Sequence, residues 1–360
     1  MTKLSSFFFT AGNSLIFRME FLTIQLDLNQ INESSIMRIA VTGATGFIGS
    51  HLIESLLQKG DHPVCLIRKT SNLQWLPYPE IEFVTGNLQE PESLVDFVKN
   101  AEAVIHLAGI TKARTEAEYR AGNFAGTINL VRAIQKFNPE IRRFVYASSQ
   151  AAAGPSPDGV PLKEDDAPHP VSAYGRSKLE AETYLKNTEA FPFTIIRPPA
   201  VYGPRDKDVF SAFKLCARGI QPLVGKDKYL SIAFVKNLVK GFLLALEKEC
   251  ARRETYFITD DGILTWKTLT QMIANALGKK PIRIHIPESL LSVPAELSGL
   301  IGNILNRPML FSRDKIMEIR QHFWTVDISK AKVELGYKPD FTTEEGIRET
   351  ARWYLENGWL

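Results

Sequence analysis

The segment Met37-Arg38-Ile39-Ala40-Val41-Thr42 runs directly into Gly43-Ala44-Thr45-Gly46-Phe47-Ile48-Gly49, and then into Ser50–Lys59 with apolar residues at Leu52, Ile53, Leu56 and Leu57. The opening run is short, apolar and rich in β-branched residues, as in a strand buried on both faces. The closing run has helical spacing, and Gly60 ends it. A strand that turns through glycines into a helix leaves the first N–H groups of that helix unpaired, with the positive end of its dipole beside them. Gly43 suits the tight turn. Gly46 lets backbone amides approach a pyrophosphate with no Cβ in the way, and Gly49 lets the helix lie close to the strand. The pattern predicts a dinucleotide site, with Thr45, Phe47 and Ile48 in its contact set.

The alternation continues. Pro63–Ile67, Ile81–Val84, Ala103–Leu107, Arg143–Ala147 and Phe193–Arg197 read as strands, and Glu116–Phe137 and Tyr174–Leu185 as helices. Repeated strand–helix units predict an α/β fold, a Rossmann-type doubly wound parallel sheet. Residues 37–198 are expected to form the dinucleotide-binding domain, with a return segment near 230–246. Residues 199–229 and 247–360 are expected to form a smaller, interleaved C-terminal substrate lobe.

Arg68 follows the second strand about twenty residues after the glycines, where an acidic residue usually meets a free ribose 2′-hydroxyl. Arg68-Lys69-Thr70-Ser71 stands there instead. A guanidinium and two hydroxyls suit a 2′-phosphate, so NADP is favoured over NAD.

Tyr174-Gly175-Arg176-Ser177-Lys178 places a phenol and an ammonium four residues apart, on one helix face. A phenol titrates near pH 10, too high to exchange protons readily at neutral pH, and a neighbouring ammonium lowers that value. Lys178 can also hold a nicotinamide ribose. Ser149 sits just past the strand Arg143–Ala147, at the sheet edge where ligands bind, and its hydroxyl can bond a substrate carbonyl oxygen. Together the three residues make a proton-transfer site beside a hydride carrier.

From Met37 to Leu360 the chain resembles the extended short-chain dehydrogenase/reductase family. The resemblance rests on Thr42–Gly49, His106-Leu107-Ala108-Gly109, Asn123-Phe124-Ala125-Gly126-Thr127, Ser148-Ser149, Tyr174–Lys178 and Arg197-Pro198-Pro199-Ala200-Val201-Tyr202-Gly203-Pro204. Asp327-Ile328-Ser329-Lys330-Ala331-Lys332 with Leu335-Gly336-Tyr337 adds to it. The resemblance implies that Tyr174 is the general acid/base, Lys178 its partner and Ser149 the carbonyl anchor. It implies that Asn87 and Leu88 flank the adenine, Leu107 and Ala108 line the cofactor trough, and Asn123 supports it. Pro198 and Val201 would approach the nicotinamide.

Family members that eliminate water carry an acidic pair after the Ser/Thr position, and Gln150-Ala151 stands there. Nucleotide-sugar epimerases tend to have Asn where this chain has Ala200. Phe234-Val235-Lys236-Asn237 replaces a frequent Val-Asp-Asp. What remains resembles the 3β-hydroxysteroid dehydrogenase and dihydroflavonol reductase branch. The expected function is hydride transfer between nicotinamide and a carbonyl/alcohol of a small, fairly apolar molecule, with a nucleotide-sugar epimerase as the alternative.

The run Pro287–Phe311 has helically spaced apolar residues, readable as a substrate wall touching a membrane surface or as one more core helix. No run of about 18 apolar residues predicts a transmembrane helix. Three unpaired cysteines (Cys65, Cys216, Cys250) fit a reducing, cytoplasmic setting. The net charge of +3 with interspersed signs gives no nucleic-acid footprint. No cluster has metal-ligand spacing. His106 reads as a packing residue, and Glu164-Asp165-Asp166 as solvated. A homodimer through the helices near Ala121 and Tyr174 is expected from the family resemblance. Residues 1–36 match neither a signal nor a transit peptide well, and the favoured reading is an extension outside the fold.

Overall fold

β1 (Arg38–Thr42) occupies the middle of a parallel sheet, and its buried run Ile39-Ala40-Val41 explains the near-continuous hydrophobicity of the segment. The structure is a computed structural model that describes residues 36–287 and 313–360. The extension 1–36 and the apolar run Pro287–Phe311, apart from Ile36 and Pro287 themselves, lie outside the described residues.

From β1 the chain turns into α1 (Phe47–Gln58), then returns as β2 (His62–Ile67) and β3 (Glu82–Thr85). After α2 (Val95–Val98), β4 (Ala103–His106) pairs on the other side of β1. The expected long helix spans 116–137, but in three pieces: α3 (Glu116–Tyr119), a π-helical stretch Arg120–Ala125, and α4 (Gly126–Phe137). β5 (Arg143–Ala147), α5 (Gln150–Ala153), α6 (Ala173–Asn187) and β6 (Phe193–Arg197) follow.

The C-terminal segments are shorter pieces. They run β7 (Ala200–Tyr202), α7 (Phe210–Ala217), β8 (Ile220–Val224), β9 (Tyr229–Leu230), β10 (Ile232–Phe234), α8 (Val235–Glu247) and β11 (Thr255–Phe257). Then come β12 (Leu264–Thr265), α9 (Trp266–Ala276), β13 (Ile282–Ile286), α10 (Arg313–Ile319), β14 (Phe323–Trp324), α11 (Ser329–Glu334) and α12 (Thr343–Glu356).

The main sheet has seven parallel strands in the order β3-β2-β1-β4-β5-β6-β11. β11 comes from beyond the expected return segment 230–246. Its three residues are all buried and too few to show a period, which is why sequence pattern did not join them to the sheet. The smaller sheets pair β7 with β10, β8 with β13, and β9 between β12 and β14. One buried cluster fills the space between sheet and helices, including Val104, Leu130, Phe144 and Ile195. A second gathers Tyr202, Phe213, Phe234, Ile273 and Tyr354, with Trp353 and Trp359 packed against it.

Candidate active site

The carboxyl ends of β1, β4 and β5 meet at one edge of the sheet, where parallel α/β sheets bind ligands. Gly43 has φ +74°, and a Cβ there would lie 2.7 Å from the Ala108 backbone nitrogen. A Cβ on Gly49 would lie 2.2 Å from the Gly43 carbonyl oxygen, so α1 can approach the turn only with glycine at that position. Gly46 is exposed and forms the N-cap of α1, without a side-chain cap and with no acidic residue in the first turn. This end of the helix is therefore unshielded, as an anion site requires. Phe47 and Ile48 pack on the C-terminal cluster, and Thr45 is half-buried in the turn.

Arg68 is exposed just past β2. Its backbone N–H donates to the Ser71 hydroxyl (2.9 Å), and its guanidinium has no hydrogen bond or ion pair among the described residues. The Asn87 side chain accepts from the Gln89 N–H and donates to Glu90, shaping the turn after β3. Leu88 packs against the sheet core beside Gly126. Leu107 and Ala108 are half-buried at the end of β4. Pro198 is buried and its carbonyl accepts the Gln150 N–H (2.8 Å), while Val201 packs on the C-terminal cluster.

Asn123 sits in the π-helical stretch and is 1% exposed. Its amide oxygen accepts from Ile110 N–H (2.8 Å), and its amide nitrogen donates to the Ile110 carbonyl (3.0 Å) and the Ser177 hydroxyl (3.0 Å). It thus ties the loop after β4 to α6. A Cβ on Gly109 would come within 2.9 Å of the Asn123 amide oxygen and 3.1 Å of the Lys178 ammonium. That glycine keeps the space open.

Tyr174 and Lys178 lie on α6, and Ser149 is the N-cap of α5, its hydroxyl accepting the Ala151 N–H (3.1 Å). Burial pushes the Tyr174 phenol up to about 12, and the nearby Ser149 hydroxyl draws it back in part. Lys178 is 4% exposed. Its Nζ donates to the Ala147 carbonyl (2.8 Å) and stands 4.9 Å from the centre of the Tyr146 ring. Burial pulls it down to about 8, and the Glu182 charge opposes this. Glu318, Tyr119 and Asp208 act to raise the Tyr174 phenol further.

His106 is a packing residue. Its Nδ1 meets the Thr42 hydroxyl (2.6 Å) and its Nε2 the Thr127 hydroxyl (2.9 Å). The Ala108 N–H donates to Thr42 Oγ1, and Thr127 Oγ1 donates to the Asn123 carbonyl, so the ring is the neutral Nε2–H tautomer. Burial and the Lys178 charge hold it down at about 3. Glu164 is not solvated: it is 9% exposed and accepts the Phe257 N–H (2.8 Å). Asn237, in the departure Phe234–Asn237, is fully buried and bonds Asp260, Phe341 and Asp340, so that swap is structural. Among the described residues, no three of His, Cys, Asp or Glu group as metal ligands, and no helix is long and apolar enough to cross a membrane.

Sequence reasoning missed three side chains at this edge. Ser172, the N-cap of α6, accepts the Gly175 N–H (3.0 Å). Asp314 and Glu318, on α10, bond the same first turn. Ser172 carries the ordinary signal of a capping serine; the two acids carry none.

Residues 39–258 match the NAD-dependent epimerase/dehydratase family, and the chain belongs to that family. It is similar to a ceramide reductase of Caulobacter vibrioides (30% identity, over 89% of this chain and 96% of that one). It is similar to a UDP-glucose 4-epimerase of Vibrio cholerae (30%; 88% and 95%) and to a 3β-hydroxysteroid dehydrogenase of Mycolicibacterium neoaurum (29%; 89% and 92%). Among solved structures it shares the fold of a UDP-glucose 4-epimerase from Thermotoga maritima (TM-score 0.74, 24% identity; 89% and 99%). The chain is an NAD(P)-dependent oxidoreductase of the extended short-chain dehydrogenase/reductase type, moving a hydride between nicotinamide and a carbonyl/alcohol pair.

Proposed function

We propose that the substrate is small and fairly apolar, that Tyr174 is the general acid/base, and that Ser149 anchors the substrate oxygen. Lys178 would serve as the cation of the site. The observation that carries this reading is the nearness of the Tyr174 phenol to the Ser149 hydroxyl, which acts to lower the phenol's pKa, one helical turn from a buried ammonium. Gln150 and Ala151 offer no ionisable group for eliminating water, and Ala200 offers no hydrogen bond to a sugar. The ceramide and steroid enzymes named above are relatives consistent with an apolar substrate.

When bound, the nicotinamide cofactor supplies or takes up the hydride and, oxidised, brings a positive charge to the site. Gly43, Gly46 and Gly49 would hold its pyrophosphate against the open start of α1, with Thr45, Phe47 and Ile48 beside it. Asn87 and Leu88 would flank the adenine, Leu107, Ala108 and Asn123 would form the trough, and Pro198 and Val201 would stand near the nicotinamide. The uncommitted guanidinium of Arg68 favours NADP. Residues 37–198 would form the nucleotide domain. A cytoplasmic homodimer through the helices near Ala121 and Tyr174 completes the reading.

In reduction the phenol gives its proton to the carbonyl oxygen. A group held up at about 12 is protonated at neutral pH and ready for that role. Alcohol oxidation needs the phenolate, so oxidation should climb with pH while reduction does not. Tyr174→Phe should cost turnover on a panel of hydrophobic ketones at least about 100-fold, with nucleotide affinity nearly unchanged; retained turnover overturns the assignment. Denaturing the purified protein and identifying the released nucleotide separates the rival: near-stoichiometric NAD surviving dialysis favours the epimerase.

A further inference from the structure

The first turn of α6 is met by two carboxylates from a helix far along the chain. Asp314 and Glu318 lie four residues apart on α10 and so share a face. Asp314 takes the Ala173 N–H on Oδ1 (2.6 Å) and the Tyr174 N–H on Oδ2 (3.2 Å). Glu318 Oε1 accepts the Ser172 hydroxyl (2.8 Å), and Ser172 in turn accepts the Gly175 N–H. Backbone donors that a helix start leaves orphaned are here filled by side chains, one of them a residue's own N–H beside the phenol. Glu318 is itself held: Lys315 donates to its other oxygen (2.9 Å), and its backbone carbonyl accepts the Trp324 indole N–H (2.9 Å).

We propose that Asp314 and Glu318 are positioning residues for hydride transfer: α10 clamps the helix turn that carries Tyr174 and fixes where, and in what electrostatic field, the phenol stands. The proposal rests on the acid/base reading of Tyr174. The groups that face this phenol can be named from every element around it. Ser149, the N-cap of α5, acts on it, Tyr146 on β5 is coupled to it electrostatically, Tyr119 on α3 has its ring centre 6.1 Å away, and Asp208 lies in the loop before α7, paired with Lys112. Glu318 comes from α10, and on α6 itself Lys178 lies one turn further along the helix. The Glu318 carboxylate acts to keep the proton on the phenol. The clamp therefore works in two ways: Asp314 sets the position of the Tyr174 backbone, and Glu318 adds negative charge that favours the neutral acid.

The test needs no substrate. In the full chain carrying 13C-labelled tyrosine rings, the Tyr174 signal is identified by its loss in Tyr174→Phe. Glu318→Gln keeps the shape and the acceptor oxygen but removes the charge, and should lower the pH at which Tyr174 ionises by about one unit. Hydrogen exchange of the segment 172–178 supplies the second reading. Asp314→Ala should speed exchange at Ala173 and Tyr174 about tenfold or more, and Asp314→Asn, which keeps an acceptor, should restore part of the protection. If Tyr174 in Glu318→Gln ionises no earlier than in the parent chain, or if exchange in folded Asp314→Ala is unchanged, the clamp is overturned. Neither readout depends on turnover, so a failure of the Tyr174 acid/base assignment would show separately, as retained activity in Tyr174→Phe.

Discussion

Two helix starts at the same sheet edge are treated in opposite ways. α1 begins at an exposed glycine, with no side-chain cap and no acid in its first turn. α6 begins at Ser172, with the hydroxyl of that serine and both oxygens of Asp314 filling its N–H groups. The dipole is the same in both, so the difference lies in what the sequence puts in front of it. An open start is a place for something else's negative charge. A closed start is a fixed mount for the side chains that follow.

The comparison breaks most sharply at Gly49. Gly49→Ala sets a Cβ 2.2 Å from a backbone oxygen, and should cost about 3 kcal/mol of stability or abolish nucleotide binding, read by thermal unfolding and calorimetric titration. Gly46→Asp would convert the open start into a closed one. The backbone there, at φ −81° and ψ 178°, is not strained for a side chain, but a Cβ would stand 3.2 Å from the Gly43 carbonyl oxygen, which must yield by a few tenths of an ångström. Nucleotide affinity should fall about 100-fold while the melting temperature holds or rises, because a carboxylate caps the helix and repels the anion. A melting temperature that falls with affinity would mean that the turn, not the charge, was damaged. Arg68→Ala should weaken NADP about tenfold and leave NAD unchanged, which separates the 2′-phosphate from the pyrophosphate. Ser172→Ala, at the closed start, should cost about 1 kcal/mol of stability, with nucleotide affinity untouched.

The open start could be read from sequence because every part of it lies within one continuous stretch, and spacing carried the geometry. The strands Arg143–Ala147 and Phe193–Arg197 were legible in the same way, since both faces are buried and the apolar runs are continuous. The π-helical stretch was not. Its residues fit an α-helix, and the irregularity accompanies Asn123 bonding Ile110 and Ser177, contacts that no local pattern encodes. The closed start was half legible: a serine before a helix is a familiar signal, but Asp314 stands 140 residues from the N–H of Tyr174. Two-residue strands such as β9 and β14 are too short to show a period. The acidic run at Glu164 misled because its charge count suggested solvent, while one carboxylate turned inward to a β11 N–H that sequence had not placed in the sheet.

The hydroxyl–imidazole–hydroxyl chain through Thr42, His106 and Thr127 points one way only, from the Ala108 N–H to the Asn123 carbonyl. That direction makes the three positions a single unit of inheritance. Altering any one strands a buried donor or acceptor on its neighbours, whereas exchanging all three for apolar residues of similar shape strands none among them. Descendants of this chain should therefore keep the trio or lose it together, and a lone departure at one of the three should travel with a repair at another.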